Sequence, residues 1–88
     1  MAKIPRVRLV RLDVIADICP QVLLRTLGLI AQRDIVPFAI SFERTAQRLR
    51  FAIEIEALGS AQADILVAKV RELVRVRSAR WVKARRWT

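Results

Sequence analysis

The chain has 88 residues, of which 55% are hydrophobic, and carries a formal net charge of +9 from 17 Lys and Arg against 8 Asp and Glu. This length supports one small domain, residues 1–88, whose single hydrophobic core is marginal alone. Because the chain has no His and a single Cys, an internal disulfide is excluded, and the commonest metal ligand and general base are missing.

The first predicted element is a strand over residues 7–16, where side chains alternate between two faces. Leu12, Val14 and Ala16 form the predicted core face, and Arg11 and Asp13 point to the opposite face. We expect Asp13 and Glu54 to be neighbours on this face, and to form a surface ion-pair lattice with the arginines beside them, including Arg50.

A helix is predicted next, with Pro20 in its first turn, where a missing N–H costs little. Its apolar stripe has the spacing i, i+4, i+7, i+8 and consists of Leu23, Leu27, Ile30 and Ala31. Gly28 lies inside this helix at a cost of about 1 kcal/mol relative to alanine. A close contact between helix and sheet at Gly28 would explain why a glycine is found there despite this cost. Residues 33–34 end the helix.

Two further alternating segments predict a hairpin, with strands over roughly 35–43 and 49–56. Pro37 cannot donate a ladder hydrogen bond, so the second strand is predicted at a sheet edge or to contain a bulge. One face of the second strand carries four apolar side chains: Val36, Phe38, Ile40 and Phe42. In the third strand the inward side chains are Leu49, Phe51, Ile53 and Ile55, and the outward ones are Arg50, Ala52, Glu54 and Glu56.

The second helix is predicted to begin after Gly59, with Ser60 as its N-cap. Its apolar stripe consists of Leu66, Val70, Leu73 and Val74. A last strand is predicted over 76–82, where Trp81 either anchors the strand or forms part of a dimer seam, and residues 83–88 form a basic tail.

This order of elements predicts an α+β fold, a ferredoxin-like βαββαβ sandwich with a core over about residues 7–82. Its four-stranded antiparallel sheet has the order 4-1-3-2, with two helices on one face. The last strand then lies antiparallel beside the first, so the basic residues from both ends of the sequence meet. We call this predicted surface the basic end; it comprises Arg6, Arg8, Lys83, Arg85 and Arg86.

Three segments resemble the ACT domain, over roughly residues 9–82: DICPQVL at 17–23, LGLIAQRDI at 27–35 and LVRVRSA at 73–79. Within that family the chain looks most like the small regulatory subunit of acetolactate (acetohydroxyacid) synthase. The resemblance implies a homodimer that binds a branched-chain amino acid (valine, leucine or isoleucine) between two copies and regulates a catalytic large subunit. The effector site it implies is the turn before the first helix, here called the effector turn: Ile18, Cys19, Pro20, Gln21 and Val22.

The chain departs from the family pattern at two positions, where Gln21 and Asp34 stand in place of glycine. A side chain at position 21 narrows the approach of a ligand to the backbone. The turn therefore either binds an effector despite Gln21, or is vestigial, or serves another ligand.

An alternative is a nucleic-acid-binding module that uses the basic end with Trp81 and Trp87. RNA-recognition motifs of this topology place stacking aromatics outward on the third strand, where this chain has Arg50 and Ala52, so we rank this alternative second. A solvated tail, or docking of the basic end on an acidic partner, is the simpler explanation of the charge.

No catalytic set is present, since the chain has no His, no Gly-rich phosphate loop and no Cys-x-x-Cys pair. We therefore expect a regulatory protein rather than an enzyme, with no metal and no cofactor. No segment reaches the roughly 20 apolar residues of a membrane span and residues 1–6 lack a signal-peptide core, so a cytoplasmic location is expected.

Overall fold

The computed structural model describes residues 8–83, which form a four-stranded antiparallel sheet and two helices. The elements follow in the order β1 (Leu9–Asp17), α1 (Val22–Ala31), β2 (Ala39–Arg44), β3 (Arg48–Glu56), α2 (Ser60–Glu72) and β4 (Val76–Lys83). The sheet order is β2-β3-β1-β4, which is the predicted 4-1-3-2 order read from the other side. The ferredoxin-like fold is thus confirmed.

The core lies between one face of the sheet and both helices, and we call that face the inner face. Leu12, Val14 and Ala16 of β1 are buried there, as predicted, and so are all four inward residues of β3. They pack in one cluster with residues of both helices: Val22 and Ile30 of α1, and Leu66, Val67 and Val70 of α2. Burying a side chain of this kind stabilises the fold by about 1.5–3 kcal/mol.

Helix α1 begins at Val22 rather than at Pro20, and its buried face differs from the predicted stripe. Val22, Thr26 and Ile30 are fully buried, whereas the predicted Leu23 and Leu27 are only partly buried and Ala31 is exposed. Thr26 can face the core because its hydroxyl donates to the Val22 carbonyl at 2.9 Å, which satisfies the polar group within the helix.

The explanation offered for Gly28 is wrong. Gly28 is exposed, and a Cβ built on it meets no atom within 4 Å, so no close helix–sheet contact exists there. Two other helix predictions also need correction. Gly59 is the N-cap of α2, so Ser60 is its first helical residue, and the helix ends at Glu72, which leaves Val74 exposed beyond it.

Strand β2 begins at Ala39, later than predicted, because residues 35–37 form no ladder. Pro37 therefore lies outside the strand, although β2 is an edge strand as expected. Ile40 pairs with Ile53 and Phe42 with Phe51, so both side chains lie on the inner face. They are nevertheless 46% and 50% exposed, like Phe38 at 47%. The inner face is thus left open along this edge.

Strand β4 closes the opposite edge of the sheet. Trp81 packs against the core cluster, and its Nε1 donates to the Ala63 carbonyl of α2 at 3.0 Å. Arg71 of α2 donates from Nε to the Ala79 carbonyl of β4 at 2.9 Å. The prediction that Trp81 anchors the last strand is confirmed.

Candidate functional site

The effector turn joins the end of β1 to the start of α1, and its five residues have different environments. Ile18, Pro20 and Gln21 are exposed, whereas Cys19 is partly buried against the core and Val22 is fully buried. Only the first three can face a ligand with their side chains. Cys19 and Val22 hold the turn on the core, and their contribution to a site would come from the backbone.

The start of α1 has free capacity for an anion. Gln21 is the N-cap residue but makes no side-chain cap, and no acidic residue lies in the first turn. Its Oε1 instead accepts a hydrogen bond from Arg25 Nη2 at 2.9 Å. The amides of a first helical turn have no partner within the helix and attract negative charge. The Gln21 side chain is bonded to Arg25 and makes no hydrogen bond to these amides.

Asp34, the second departure from the family pattern, has a left-handed backbone with φ 58. Its amide donates to the Ala31 carbonyl at 3.0 Å, just after the end of α1. Glycine is the usual residue at such a position, and aspartate is one of the few others that tolerate it. The structure therefore explains why the substitution preserves the fold.

An arginine cluster surrounds the last residue of β1, and sequence reasoning missed it. Arg77 Nε lies 2.8 Å and Arg48 Nη1 lies 3.7 Å from Asp17 Oδ1. The Asp17 amide donates to the Arg75 carbonyl at 2.8 Å. The hydrogen bond from Arg77, followed by the charges of Arg77, Arg48 and Arg75, lowers the pKa of Asp17 below its ordinary value. We use the name arginine cluster for Arg48, Arg75 and Arg77.

Two of the five residues of the predicted basic end, Arg8 and Lys83, lie within the described part of the chain. Lys83 pairs with Val10 in the ladder between β4 and β1, so Lys83 and Arg8 lie at the same end of the sheet, opposite to the effector turn. This placement agrees with the prediction. The other three residues, Arg6, Arg85 and Arg86, lie outside the described residues, as does Trp87.

The outer face of the sheet is polar and shallow. Arg11 Nε and Nη2 donate to the two carboxylate oxygens of Asp13 at 2.7 and 3.2 Å, which raises the pKa of Arg11. Glu54 lies opposite Arg11 in the ladder and Glu43 opposite Arg50, but of the predicted lattice only Arg11 and Asp13 form an ion pair among residues 8–83. The outer face lines an open depression of about 820 Å³.

The outer face offers no stacking platform for bases. Arg50 and Ala52 point outward from β3, while Phe51 is 3% exposed on the inner face. The expected difference from RNA-recognition motifs is therefore present, and the alternative of nucleic-acid binding gains no support. Within residues 8–83, no helix is long and apolar enough to cross a membrane.

A family model described as an ACT-like domain matches residues 5–87. Among solved structures, the chain is similar to the ACT domain from GTP pyrophosphokinase of Chlorobium tepidum, with 13% identity and a TM-score of 0.74 over 86% of this chain and 99% of that one. It is also similar to the C-terminal domain of the MgtC protein from Mycobacterium tuberculosis, with 18% identity and a TM-score of 0.74 over 94% of each chain.

A third similar structure is the regulatory subunit of aspartate kinase from Thermus thermophilus, with 14% identity and a TM-score of 0.70 over 86% of this chain and 51% of that one. No protein of curated function matches by sequence at a significant level. At such identities the structural likeness shows the fold, and the family model, which matches most of the chain, shows the family. The chain belongs to the ACT-like domain family.

Proposed function

We propose that this chain is a non-catalytic regulatory domain that binds an amino acid at the effector turn, between two copies of itself. The observation that carries the proposal is the open apolar edge along β2, whose member nearest to the turn is Phe42. Through β3, Phe42 lies level with Val14 and Ile40 with Leu12, so the edge runs along the middle of the sheet and ends three residues short of Asp17. A second copy seated on this edge would bring its own β2 towards the turn.

The ligand chemistry follows from what the turn presents. The free amides at the start of α1 suit the carboxylate of an amino acid. The half-exposed apolar residues Ile40 and Phe42 of β2, with Phe38 just before the strand, suit an apolar side chain. Valine, leucine and isoleucine combine these two features, which supports a branched-chain effector and a role as small regulatory subunit of acetolactate synthase or of a related biosynthetic enzyme.

Regulation would follow from differential binding. An effector that bridges two copies favours the arrangement in which both half-sites face each other, and the catalytic large subunit would respond to that arrangement. The basic end is the proposed docking surface for the large subunit. Arg8→Glu with Lys83→Glu should abolish co-purification with that subunit. The same charge reversal at Arg44, at the opposite sheet end, serves as the control and should leave co-purification intact.

A thermal-shift screen against all twenty amino acids tests the effector. A ligand that binds only the folded state must raise the melting temperature, by an amount that grows with its concentration. We expect the rise with valine, leucine or isoleucine. Gln21→Gly should increase the shift by opening the turn, whereas Gln32→Gly, at the other end of α1, should not. No shift with any amino acid, in either the native chain or Gln21→Gly, would refute an effector site at the turn.

A further inference from the structure

The arginine cluster brings positive charge together from three separate parts of the chain. Arg48 begins β3, Arg77 lies in β4, and Arg75 lies in the turn between α2 and β4. Arg77 and Arg48 lie 2.8 and 3.7 Å from Asp17 Oδ1, and the backbone of Arg75 is joined to that of Asp17 by a hydrogen bond of 2.8 Å. Three guanidinium groups around one carboxylate leave an excess of two positive charges at this point.

The guanidinium groups retain unused hydrogen-bonding capacity. Arg77 and Arg48 approach the same oxygen, Oδ1, of Asp17. Within residues 8–83, Arg77 donates only from Nε, and Arg75 makes no side-chain hydrogen bond. A guanidinium has five N–H donors in a planar fork that matches a carboxylate or a phosphate in a bidentate manner. Arg75 and Arg77 are exposed and Arg48 is partly exposed, so a ligand can reach these donors.

The backbone conformation at position 75 bears on why an arginine, and not a glycine, is found there. The Val76 amide donates to the Leu73 carbonyl at 3.2 Å, so residues 73–76 form a turn with Arg75 in its third position. Arg75 has φ 84, the conformation for which type II turns take glycine. An arginine there is strained. Glycine would keep the Arg75 carbonyl that binds the Asp17 amide, so the backbone alone does not account for an arginine at this position.

We propose that the arginine cluster is a binding site for a multivalent oxyanion, a phosphoryl or polycarboxylate group of a small molecule. Two or more negative charges on one compact group balance the excess charge, and the forks of Arg75 and Arg77 supply the donors. This site uses side-chain donors of β3, β4 and the turn before β4, whereas the effector turn would use the backbone amides at the start of α1. The inference goes beyond the proposed function, because it holds whether or not the turn binds an amino acid.

Titration calorimetry with pyrophosphate and with citrate, each against sodium chloride of equal ionic strength, tests the site. We expect saturable binding of at least one anion to the full chain, and the tighter of the two identifies the phosphoryl or the carboxylate source. Arg77→Gln and Arg48→Gln should each weaken binding about tenfold. Arg80→Gln removes an exposed arginine from the same strand at a position opposite Asp13 rather than beside Asp17, and should leave binding unchanged.

Arg75→Gly separates a ligand site from a structural role. It removes the strain of the turn, so the melting temperature without anion should rise by about 4–8 °C. It also removes one fork, so anion binding should weaken about tenfold. Absence of saturable binding to the native chain, or equal losses in Arg77→Gln and Arg80→Gln, would overturn the proposal. Valine, leucine and isoleucine carry a single carboxylate, so a thermal shift with one of them that persists in Arg77→Gln reports on the effector turn and not on the arginine cluster. The two proposals can therefore fail independently.

Discussion

The two edges of the sheet are finished in different ways. At the β4 edge, α2 covers the inner face, and Trp81 and Arg71 hydrogen-bond between helix and strand. At the β2 edge, Ile40 and Phe42 lie on the inner face but remain about half exposed, as does Phe38 just before the strand. An edge with exposed apolar residues is a surface suited to pairing with another chain. The difference suggests that β4 serves the fold of one chain and β2 serves association.

Replacing the aromatic residue at each edge should give the largest contrast. Trp81→Ala removes core packing and the bond to the Ala63 carbonyl, and should cost about 3 kcal/mol of unfolding free energy. Phe42→Ala loses only its stacking on Phe51, at a centroid distance of 6.3 Å, and should cost about 1 kcal/mol. Urea denaturation at low protein concentration measures both. Equal costs would contradict the comparison, and Trp81→Phe, which keeps the packing, should cost only about 1 kcal/mol.

A charge placed on the open edge should disrupt association. Ile40→Lys puts an ammonium among the exposed apolar residues of β2 and should raise the dimer dissociation constant at least tenfold, or about 1.4 kcal/mol. Ser41→Lys is the matched control, because Ser41 pairs with Ala52 and faces the outer side. Sedimentation equilibrium measures the dissociation constants. A native chain that stays monomeric at high concentration would contradict the role assigned to this edge.

Gly28 sharpens the comparison from the helix side. In the single chain nothing lies within 4 Å of a Cβ at this position, so Gly28→Ala should stabilise the fold by about 1 kcal/mol in urea denaturation at low concentration. If a second copy also covered the outer side of α1, the same variant would weaken dimerisation instead. Opposite changes in unfolding free energy and dimer affinity would therefore extend the association surface from β2 to α1.

The sequence predicts the central strand β3 better than helix α1 or the edge strand β2, for a physical reason. Strand β3 lies between two other strands and its alternation is strict, so every inward residue was identified correctly. The helix stripe of α1 was misplaced because Thr26 is buried with its hydroxyl bonded to Val22, which a count of apolar residues does not register. The exposure of β2 depends on where the helices lie on the sheet, and the periodicity of the sequence gives no information about that position.

The arginine cluster was missed because its members are distant in sequence. Arg77 and Asp17 are separated by 60 residues, and they meet only through the ladder register of β1 and β4, which shifts between Ile15 and Ala16. The alternation pattern predicts which strands pair but not such a shift. The effector turn, by contrast, is one contiguous segment, so its position could be inferred from the family resemblance, while the different burial of its five residues could not.

Asp17 gives the smallest expected effect and tests how β4 is held to β1. Its pKa is lowered in the folded chain from an ordinary value of 3.8, so the unfolded state binds more protons in acid. Its stabilising contribution is therefore fully present above about pH 4 and is lost as the pH falls through the lowered pKa. Asp17→Asn should be less stable than the native chain at pH 7, and the difference should shrink below pH 4.

Asp64→Asn removes an exposed carboxylate of α2 that makes no ion pair within residues 8–83, and should show no such pH-dependent difference in urea denaturation. If both variants follow the same pH profile, the link from Arg77 to Asp17 contributes nothing to holding this edge, and the hydrogen bonds and packing of Trp81 and Arg71 hold β4 without it.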